Sequence, residues 1–434
     1  VPIRDEYGND LPGVRTSDCH YKGGLPGVDN GRIQFDHVRI PRENLLNKYG
    51  DVTADGVYSS PIENVGRRFF TMLGTLIRGR VTVGGSAAAA GRVALDIAVR
   101  YGLQRRQFSA PDDEGEVVIM DYLVHQRRLL PLVARSYALQ FAQNELVARL
   151  HDLQTADSPD AEEQRELESR AAGLKAANTW HASNAIQEAR EACGGAGYLA
   201  ENRLIALRAD TDVFTTFEGD NHVLTQLVAK ELLTAYADDI RGMSPVEWVR
   251  FAANFAGDRV LKRTAAETIM QTILDTRQDN EEEGSLFNRG TQVKMFEDRE
   301  EYTLSSVARR LQGKSKESSE FDAFNAVQDH VLHAAKAHVD RIIMEAFVAG
   351  IDSCRDDQAR EVLEMVCDLY ALSTIEQDKA WFIEHRFLST ERAKAVTRGI
   401  NERCRTLRPY AELLVDGFGV PEQCRDAEML HPLR

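Results

Sequence analysis

Cysteine is scarce in this sequence of 434 residues: six cysteines are spread over its length, with no Cys-x-x-Cys pair and no tight cluster. That spacing argues against a disulfide framework and against a zinc site. No apolar run approaches the roughly 18 residues that a membrane-spanning helix needs, and residues 1–10 lack the basic and apolar parts of a signal peptide. We therefore expect a soluble, cytoplasmic protein.

An excess of positive charge is also missing. The sequence has 53 Lys and Arg against 68 Asp and Glu, a formal net charge of −15, which argues against nucleic acid or an anionic membrane as the main partner. Hydrophobic residues make up 43% and charged residues 28% of the chain, a globular composition that can bury more than one core. This balance excludes a wholly disordered chain.

The residue pattern predicts a mainly α fold with a short β-rich start. Gly and Pro recur in residues 1–61, where Ile33 and Phe35 alternate with polar neighbours as in a strand. From about residue 64 the apolar residues follow helical spacing. We predict three parts: a β-domain remnant (1–61), a helical bundle (62–240) and a second, C-terminal helical domain (241–434).

Helix boundaries follow from the same spacing and from the breaks in it. The first long helix ends near Tyr101, and the acidic stretch 156–170 is interpreted as a solvated loop and helix face. The other predicted helices cover 117–143 with a kink at Pro131, 172–193, 245–275, 291–311, 320–350 and 356–372, with a last pair beyond 375.

Glu218 is the most informative carboxylate. It follows the apolar and hydroxyl-bearing run Val213-Phe-Thr-Thr-Phe217 and comes just before a predicted helix. A carboxylate that emerges from such an apolar wall suits general-base chemistry. The alternative is that Glu218 and Asp220 only cap the helix and meet its dipole, and the pattern alone favours that alternative.

Other candidate motifs give weaker signals. Arg105, Arg106, Gln107 and Phe108 end a predicted helix and could bind a phosphate and stack on a ring, although a basic helix C-terminus is the simpler interpretation. The Gly195-Ala-Gly197 run follows a helix rather than a strand, so it is no dinucleotide fingerprint. We predict no metal site, because the histidines of residues 330–338 spread too widely around their helix.

Five segments occur in the following order along the chain: Gly27-Val-Asp-Asn-Gly-Arg-Ile33, Ile40-Pro-Arg-Glu-Asn-Leu-Leu46, Tyr101 to Phe108, Cys193-Gly-Gly-Ala-Gly-Tyr198 and Thr215-Thr-Phe-Glu-Gly-Asp-Asn221. In this order they resemble the acyl-CoA oxidases of the acyl-CoA dehydrogenase superfamily, and the resemblance covers nearly the whole chain. The helical bundle would then be of the acyl-CoA dehydrogenase type.

The resemblance implies FAD-dependent oxidation of a fatty acyl-CoA to its trans-2-enoyl-CoA, the first step of fatty-acid β-oxidation. Glu218 matches the family's α-proton base, with hydride transfer to the flavin. Gly219 matches the residue whose backbone amide holds the thioester carbonyl, and Arg80 matches a contact to acyl-CoA.

The resemblance also implies which residues bind the cofactor. Arg105, Gln107 and Phe108 match residues that reach the FAD, commonly that of the neighbouring subunit, so a homodimer is implied. Glu191, Gly194 and Gly195 match the turn that approaches the adenosine diphosphate part of FAD. Asp220 falls beside the same cofactor, at a position where family members vary.

The 216 residues that follow Glu218 favour an oxidase, reoxidised by oxygen with release of hydrogen peroxide, because the oxidases carry a second helical domain there. The alternatives are a dehydrogenase that passes electrons to electron-transfer flavoprotein, and a catalytically silent helical subunit. The chain resembles a piece that lacks the family's N-terminal helical domain and most of its β-domain. Because its last residues are His431-Pro-Leu-Arg434 rather than Ser-Lys-Leu, we expect a bacterial cytoplasmic protein.

Overall fold

The computed structural model describes residues 1–65, 68, 71–72, 76–109, 115–156, 160–240, 286–314 and 319–431. Helices dominate these residues and the strands are few and short, which confirms the predicted mainly α class. The chain forms two compact units, Val1–Arg78 and Gly79–Arg434. The domain boundaries at residues 61 and 240 stay predictions. The helix predicted over 245–275 lies outside the described residues.

The first unit is built from two small antiparallel hairpins. Strands β1 (Val14–Asp18) and β2 (Gly31–Phe35) pair with Thr16 opposite Ile33, and β3 (Asp51–Val52) pairs with β4 (Tyr58–Ser59). The predicted alternation of Ile33 and Phe35 therefore lies in a strand. That strand ends at Phe35, and His37 beyond it adopts a left-handed φ of 51°, which a strand cannot contain.

The second unit contains one further hairpin, β5 (Arg106–Ser109) with β6 (Glu116–Val118), and a series of α-helices. In the described residues these helices are α1 (Ile77–Gln104), α2 (Leu123–Thr155), α3 (Ala161–Ala192), α4 (Leu204–Asp212), α5 (Asn221–Ile240), α6 (Arg289–Lys314), α7 (Glu320–Asn325), α8 (Gln328–Asp352), α9 (Asp357–Gln377), α10 (Lys379–Glu384), α11 (Thr390–Leu407), α12 (Ala411–Asp416) and α13 (Glu422–Arg425).

Three predicted helix boundaries were wrong, and the single helix predicted over 320–350 is divided into α7 and α8. Helix α2 begins at Leu123 rather than at residue 117, because Glu116–Val118 pairs as β6 and Ile119–Asp121 forms a 3₁₀ turn; it then continues through Pro131 and past residue 143 to Thr155. Helix α3 begins at Ala161 rather than at residue 172. Asp160 caps it by accepting a hydrogen bond from the Glu162 amide at 2.7 Å, and the negative charges of two glutamates in its first turn interact favourably with the positive end of the helix dipole.

Helices α1 and α3 pack closely enough for their backbones to meet. A Cβ added at Gly84 would lie 3.4 Å from Lys175 Cα, and one added at Gly91 would lie 3.5 Å from Ala182 Cα. Each glycine costs about 1 kcal/mol of helix propensity, and its missing side chain lets the two helices approach each other closely.

Helix α2 holds the unit together. It packs against α3 on one side and against α8, α9 and α11 from the later part of the chain. A buried ionic network crosses this core: Arg299 of α6 donates to Asp340 of α8 at 2.8 Å and to Asp378 at 2.6 Å, and Lys336 also binds Asp340 at 2.8 Å. Burial alone would raise the pKa of Asp340, but Lys336, Arg299 and Arg135 hold it well below its usual range.

In the described residues no helix is both long enough and apolar enough to cross a bilayer.

We predict that Asp340→Asn destabilises the protein by about 3 kcal/mol or more, because Arg299 and Lys336 would lose the carboxylate that neutralises them inside the core. Urea unfolding followed by circular dichroism measures the change. Asp426→Asn is the matched control: it breaks an exposed pair with His431 and should change stability by about 1 kcal/mol or less. Equal small effects of both substitutions would contradict the prediction.

Candidate active site

The candidate site is a sharp turn that joins a 3₁₀ segment (Val213–Thr215) to helix α5. Its two central residues, Glu218 and Gly219, have φ values of 55° and 110°. Positive φ is uncommon for a residue with a side chain and persists where the surrounding structure holds it. The turn is therefore fixed by tertiary contacts.

The side chain of Glu218 turns inward, toward the first turn of α1. Its carboxylate lies against Gly79: a Cβ built at that glycine would come within 2.5–2.8 Å of the two carboxylate oxygens and Cδ. Oε2 is buried and has no hydrogen-bond partner among the described residues. Desolvation without a compensating hydrogen bond is unfavourable for a carboxylate, so this oxygen is available to a proton from a bound molecule.

Helix capping falls to Asp220 instead of Glu218. The Asp220 carboxylate accepts the backbone amides of His222 at 2.9 Å and Val223 at 3.3 Å, which is the N-cap geometry. The capping alternative from the sequence therefore applies to Asp220 alone. Glu218, two residues before Asp220 in the chain, points into the bundle.

Two buried cations hold the carbonyl oxygens of the turn. Arg80 of α1 donates from Nε to the backbone oxygen of Glu218 at 3.4 Å, and Lys175 of α3 donates from Nζ to the backbone oxygen of Gly219 at 2.7 Å. Burial lowers the pKa of Arg80, and the nearby Glu168 and Glu218 oppose that shift. The predicted contact of Arg80 with acyl-CoA stays a prediction.

Lys175 was missed by the sequence reasoning. Its side chain is 1% exposed, and Nζ also donates to Asn221 Oδ1 at 3.1 Å. Burial lowers its pKa to about 8, while Asp220 and Glu218 act in the opposite direction. The available signal was a single charge in the otherwise apolar or small run Ala171-Ala-Gly-Leu-Lys-Ala-Ala177, which predicts a buried lysine with partners.

A second group of predicted site residues surrounds the end of α1. Arg105, Gln107 and Phe108 are all exposed, Phe108 with a positive φ of 59°. The backbone of Arg105 accepts from the amide of Ile119, and the carbonyl of Gln107 accepts from the Tyr122 hydroxyl, both at 2.8 Å. The hairpin is thus anchored through its backbone, which leaves the three side chains at the surface.

Glu191, Gly194 and Gly195 lie at the same end of the bundle. Glu191 pairs with Arg128 of α2 at 2.5 Å. One helical turn before Arg128, His125 lies against the end of α1, where its Nε2 would be 3.0 Å from a Cβ built at Gly102. Both glycines are exposed, Gly194 has a φ of 57°, and a Cβ at either would meet nothing within 4 Å. The α3 terminus therefore presents bare backbone to open space.

The two groups lie far apart within one chain. Glu218 contacts Gly79, whereas Arg105 follows Gln104 at the other end of the same helix. At 1.5 Å per residue, the 25 residues from Gly79 to Gln104 span about 38 Å. The structure brings Glu218, Gly219, Asp220 and Arg80 together, and it brings Arg105, Gln107, Phe108, Glu191, Gly194 and Gly195 to the opposite end.

A metal cluster is not found in the described residues: no three His, Cys, Asp or Glu side chains there are arranged to hold a metal ion.

Comparison with known proteins gives the family. The acyl-CoA oxidase C-alpha1 domain model matches residues 73–233, and the acyl-CoA oxidase model matches residues 288–424. Acyl-coenzyme A oxidase 2, peroxisomal, of Arabidopsis thaliana is 37% identical over 424 residues, which are 97% of this chain and 59% of the relative. The chain therefore spans about three fifths of the length of that relative.

Solved structures give the same result. Acyl-CoA oxidase 1 of Yarrowia lipolytica superposes with a TM-score of 0.84 at 28% identity, over 99% of this chain and 62% of that one. Acyl-CoA oxidase-2 of Caenorhabditis elegans, solved with FAD, ascaroside-CoA and ATP, superposes with a TM-score of 0.80 at 25% identity, over 99% and 61% of the two chains.

The predicted bacterial cytoplasmic location is wrong. Relatives with this similarity come from plants, human and yeast, and those from Arabidopsis thaliana and Homo sapiens have "peroxisomal" in their names. Composition and the last three residues do not distinguish these compartments.

We predict that Gly79→Ala leaves the fold stable but moves the Glu218 carboxylate. The new methyl group would overlap the carboxylate at 2.5–2.8 Å, and the flexible end of the side chain can swing away at little cost. The unfolding temperature should stay at or above that of the parent, and a crystal structure of the variant should show the carboxylate displaced. Gly91→Ala, on the same helix with ordinary contacts of 3.5–3.9 Å, should leave Glu218 in place. An unmoved carboxylate in Gly79→Ala would contradict the prediction.

Proposed function

Because this chain belongs to the acyl-CoA oxidase family, we propose that it oxidises fatty acyl-CoA to trans-2-enoyl-CoA with FAD as cofactor. Molecular oxygen takes up the two electrons and two protons that the substrate loses and is released as hydrogen peroxide. The observation that carries the proposal is the Glu218 carboxylate, buried against Gly79 with an oxygen that has no partner among the described residues.

Glu218 removes the α-proton in this proposal. Its Oε2 accepts the proton, and the electron pair of the broken C–H bond forms the new double bond as the β-hydride leaves. FAD, when bound, supplies the acceptor for that hydride. A base in a site that excludes water keeps its basicity for this weakly acidic proton, and general-base catalysis contributes about 10²–10⁴-fold.

The backbone of the turn polarises the thioester. The amide of Gly219 is the donor that we assign to the thioester oxygen, where negative charge grows as the α-proton leaves. Arg80 binds the carbonyl of the same peptide unit, that of Glu218. A cation on the carbonyl oxygen makes the amide of that peptide a stronger donor.

The residues at the opposite end of the bundle suit the diphosphate and adenosine parts of FAD. The Arg105 guanidinium has no partner in the described part of the chain, and the exposed backbone of Gly194 and Gly195 has open space above it. The Gly194 amide already bonds to the Glu191 carbonyl at 2.9 Å. The Arg105 guanidinium and the open backbone at Gly195 are therefore the groups here that suit phosphate oxygens. Gln107, Phe108 and Glu191 border this surface, and Asp220 lies beside the flavin end.

The roughly 38 Å between the two ends supports a homodimer. One FAD cannot be held by Arg105 and face Glu218 of the same chain over that distance, so we propose that Arg105 of one subunit binds the FAD that lies next to Glu218 of the other. Each of the two sites of the dimer then takes residues from both subunits.

We predict that Glu218→Gln abolishes substrate-dependent bleaching of the flavin absorbance. The protein, expressed from its full coding sequence, should bind FAD and lose its oxidised flavin spectrum when fatty acyl-CoA is added without oxygen; the variant should bind FAD equally well and bleach at least about 100-fold more slowly. Peroxide formed in air separates an oxidase from a dehydrogenase. Bleaching that is equal in parent and variant would exclude Glu218 as the base.

Subunit complementation tests the shared site. Glu218→Gln and Arg105→Ala should each be inactive alone, and their mixed dimers should have one site with both substitutions and one intact site. Co-expression in equal amounts should therefore restore about a quarter of the parent activity, because about half of the dimers are mixed. Co-expression of Glu218→Gln with Gly219→Pro, which removes the amide from the same site, is the control and should restore nothing. No recovery in the first pair would contradict the shared site.

A further inference from the structure

Lys175 is a buried cation that the proposed reaction does not use. It stands on α3, is 1% exposed, and donates to Gly219 O at 2.7 Å and Asn221 Oδ1 at 3.1 Å. Asn221 is 1% exposed as well, and its side-chain amide donates to Thr179 Oγ1 at 2.9 Å. A single ammonium thus connects α3 to the last turn residue and to the first residue of α5.

These contacts fix the peptide that follows the proposed base. The carbonyl of Gly219 belongs to the peptide unit between Gly219 and Asp220, and this unit follows a glycine whose φ is 110°. Without an anchor, a glycine here could adopt other conformations at little cost. The amide of Gly219 and the carboxylate of Glu218 would then lose their common direction.

A purely structural role explains Lys175 poorly. Burial favours the neutral amine, which lowers its pKa to about 8 from the ordinary 10.5. Between pH 8 and 10.5 the unfolded chain therefore binds more protons than the folded chain. Below pH 8 Lys175 is charged in both states, and burying that charge makes the fold less stable. Glu218 and Asp220 of the turn partly offset this cost, and Arg80 of α1 adds to it.

We propose that Lys175 is a positioning residue: by binding the carbonyl of Gly219 and the side chain of Asn221, it holds the turn so that the Gly219 amide and the Glu218 carboxylate face the same acyl-CoA thioester. This inference depends on the proposed function for its catalytic consequence. The anchoring itself is a property of the folded chain and can be measured without substrate.

The test is Lys175→Met, which keeps the length of the side chain and removes its charge and donors. Backbone amide exchange should become faster in residues 215–224, where the amides of His222 and Leu224 bond to Asp220. In the FAD-loaded protein, kcat should fall roughly 10- to 100-fold with KM changed less than about 3-fold. As pH rises from 8 to 10.5, the free energy of unfolding of the parent should increase relative to that of the variant.

Ser136→Ala is the matched control. It removes a buried contact between α2 and α3, from Ser136 Oγ to His181 Nε2 at 2.8 Å, and touches nothing in residues 215–224. It should leave exchange in that segment and kcat unchanged. If Lys175→Met does not fold, Lys175→Gln, which keeps a shorter amide donor, takes its place in the same comparison.

The outcomes separate this inference from the proposed function. Exchange in residues 215–224 that is the same in Lys175→Met as in Ser136→Ala would overturn the anchor. Faster exchange with an unchanged kcat would overturn its role in the reaction. A parent protein that turns over no acyl-CoA would instead reject the proposed function, and the exchange comparison would still decide whether Lys175 holds the turn.

Discussion

The candidate site depends on the conformation of two consecutive residues, Glu218 and Gly219, which both have positive φ. Positive φ is unfavourable for a glutamate, and contacts from three helices stabilise it here. Arg80 of α1 and Lys175 of α3 bind the two carbonyl oxygens, and Asp220 caps α5 immediately afterwards. The bundle therefore sets the direction of the carboxylate, and the turn sequence alone does not.

The same molecule contains two kinds of buried charge. Asp340 is buried but fully paired, with Arg299 and Lys336 each at 2.8 Å, as a charge inside a core must be. In contrast, Glu218 keeps a buried oxygen with no partner in the described residues, and Lys175 binds only neutral oxygens. Burial of a charge without a directly bonded opposite charge reduces stability, and such groups are candidates for a functional role.

Periodicity predicted the fold well where helices are long and amphipathic. The predicted helix 291–311 lies within α6 (Arg289–Lys314), and the one predicted over 356–372 begins one residue before α9 (Asp357–Gln377). It failed where short-range interactions set the boundary, at the β6 pairing before Leu123 and at the Asp160 cap, because neither leaves an apolar period.

The site was predicted unevenly for a related reason. Glu218 was found because its neighbours form a recognisable segment, and its competing role as a cap could be resolved only by coordinates that show Asp220 in that position. Lys175 lies 43 residues earlier in the chain, on another helix, and a single lysine in a helix normally faces solvent. Nothing local indicates that this lysine faces Gly219, so only the packing of α3 on the turn reveals it.

The residues at the two ends of α1 pose the converse problem, because the sequence suggests one site whereas one chain keeps them about 38 Å apart. The proposed homodimer would resolve it: if Arg105 of one subunit reaches the Glu218 end of its partner, two-fold symmetry places the partner's Arg105 at the first subunit's Glu218 end. A closed dimer with two equivalent sites is then the smallest assembly in which both groups of residues can act on one cofactor.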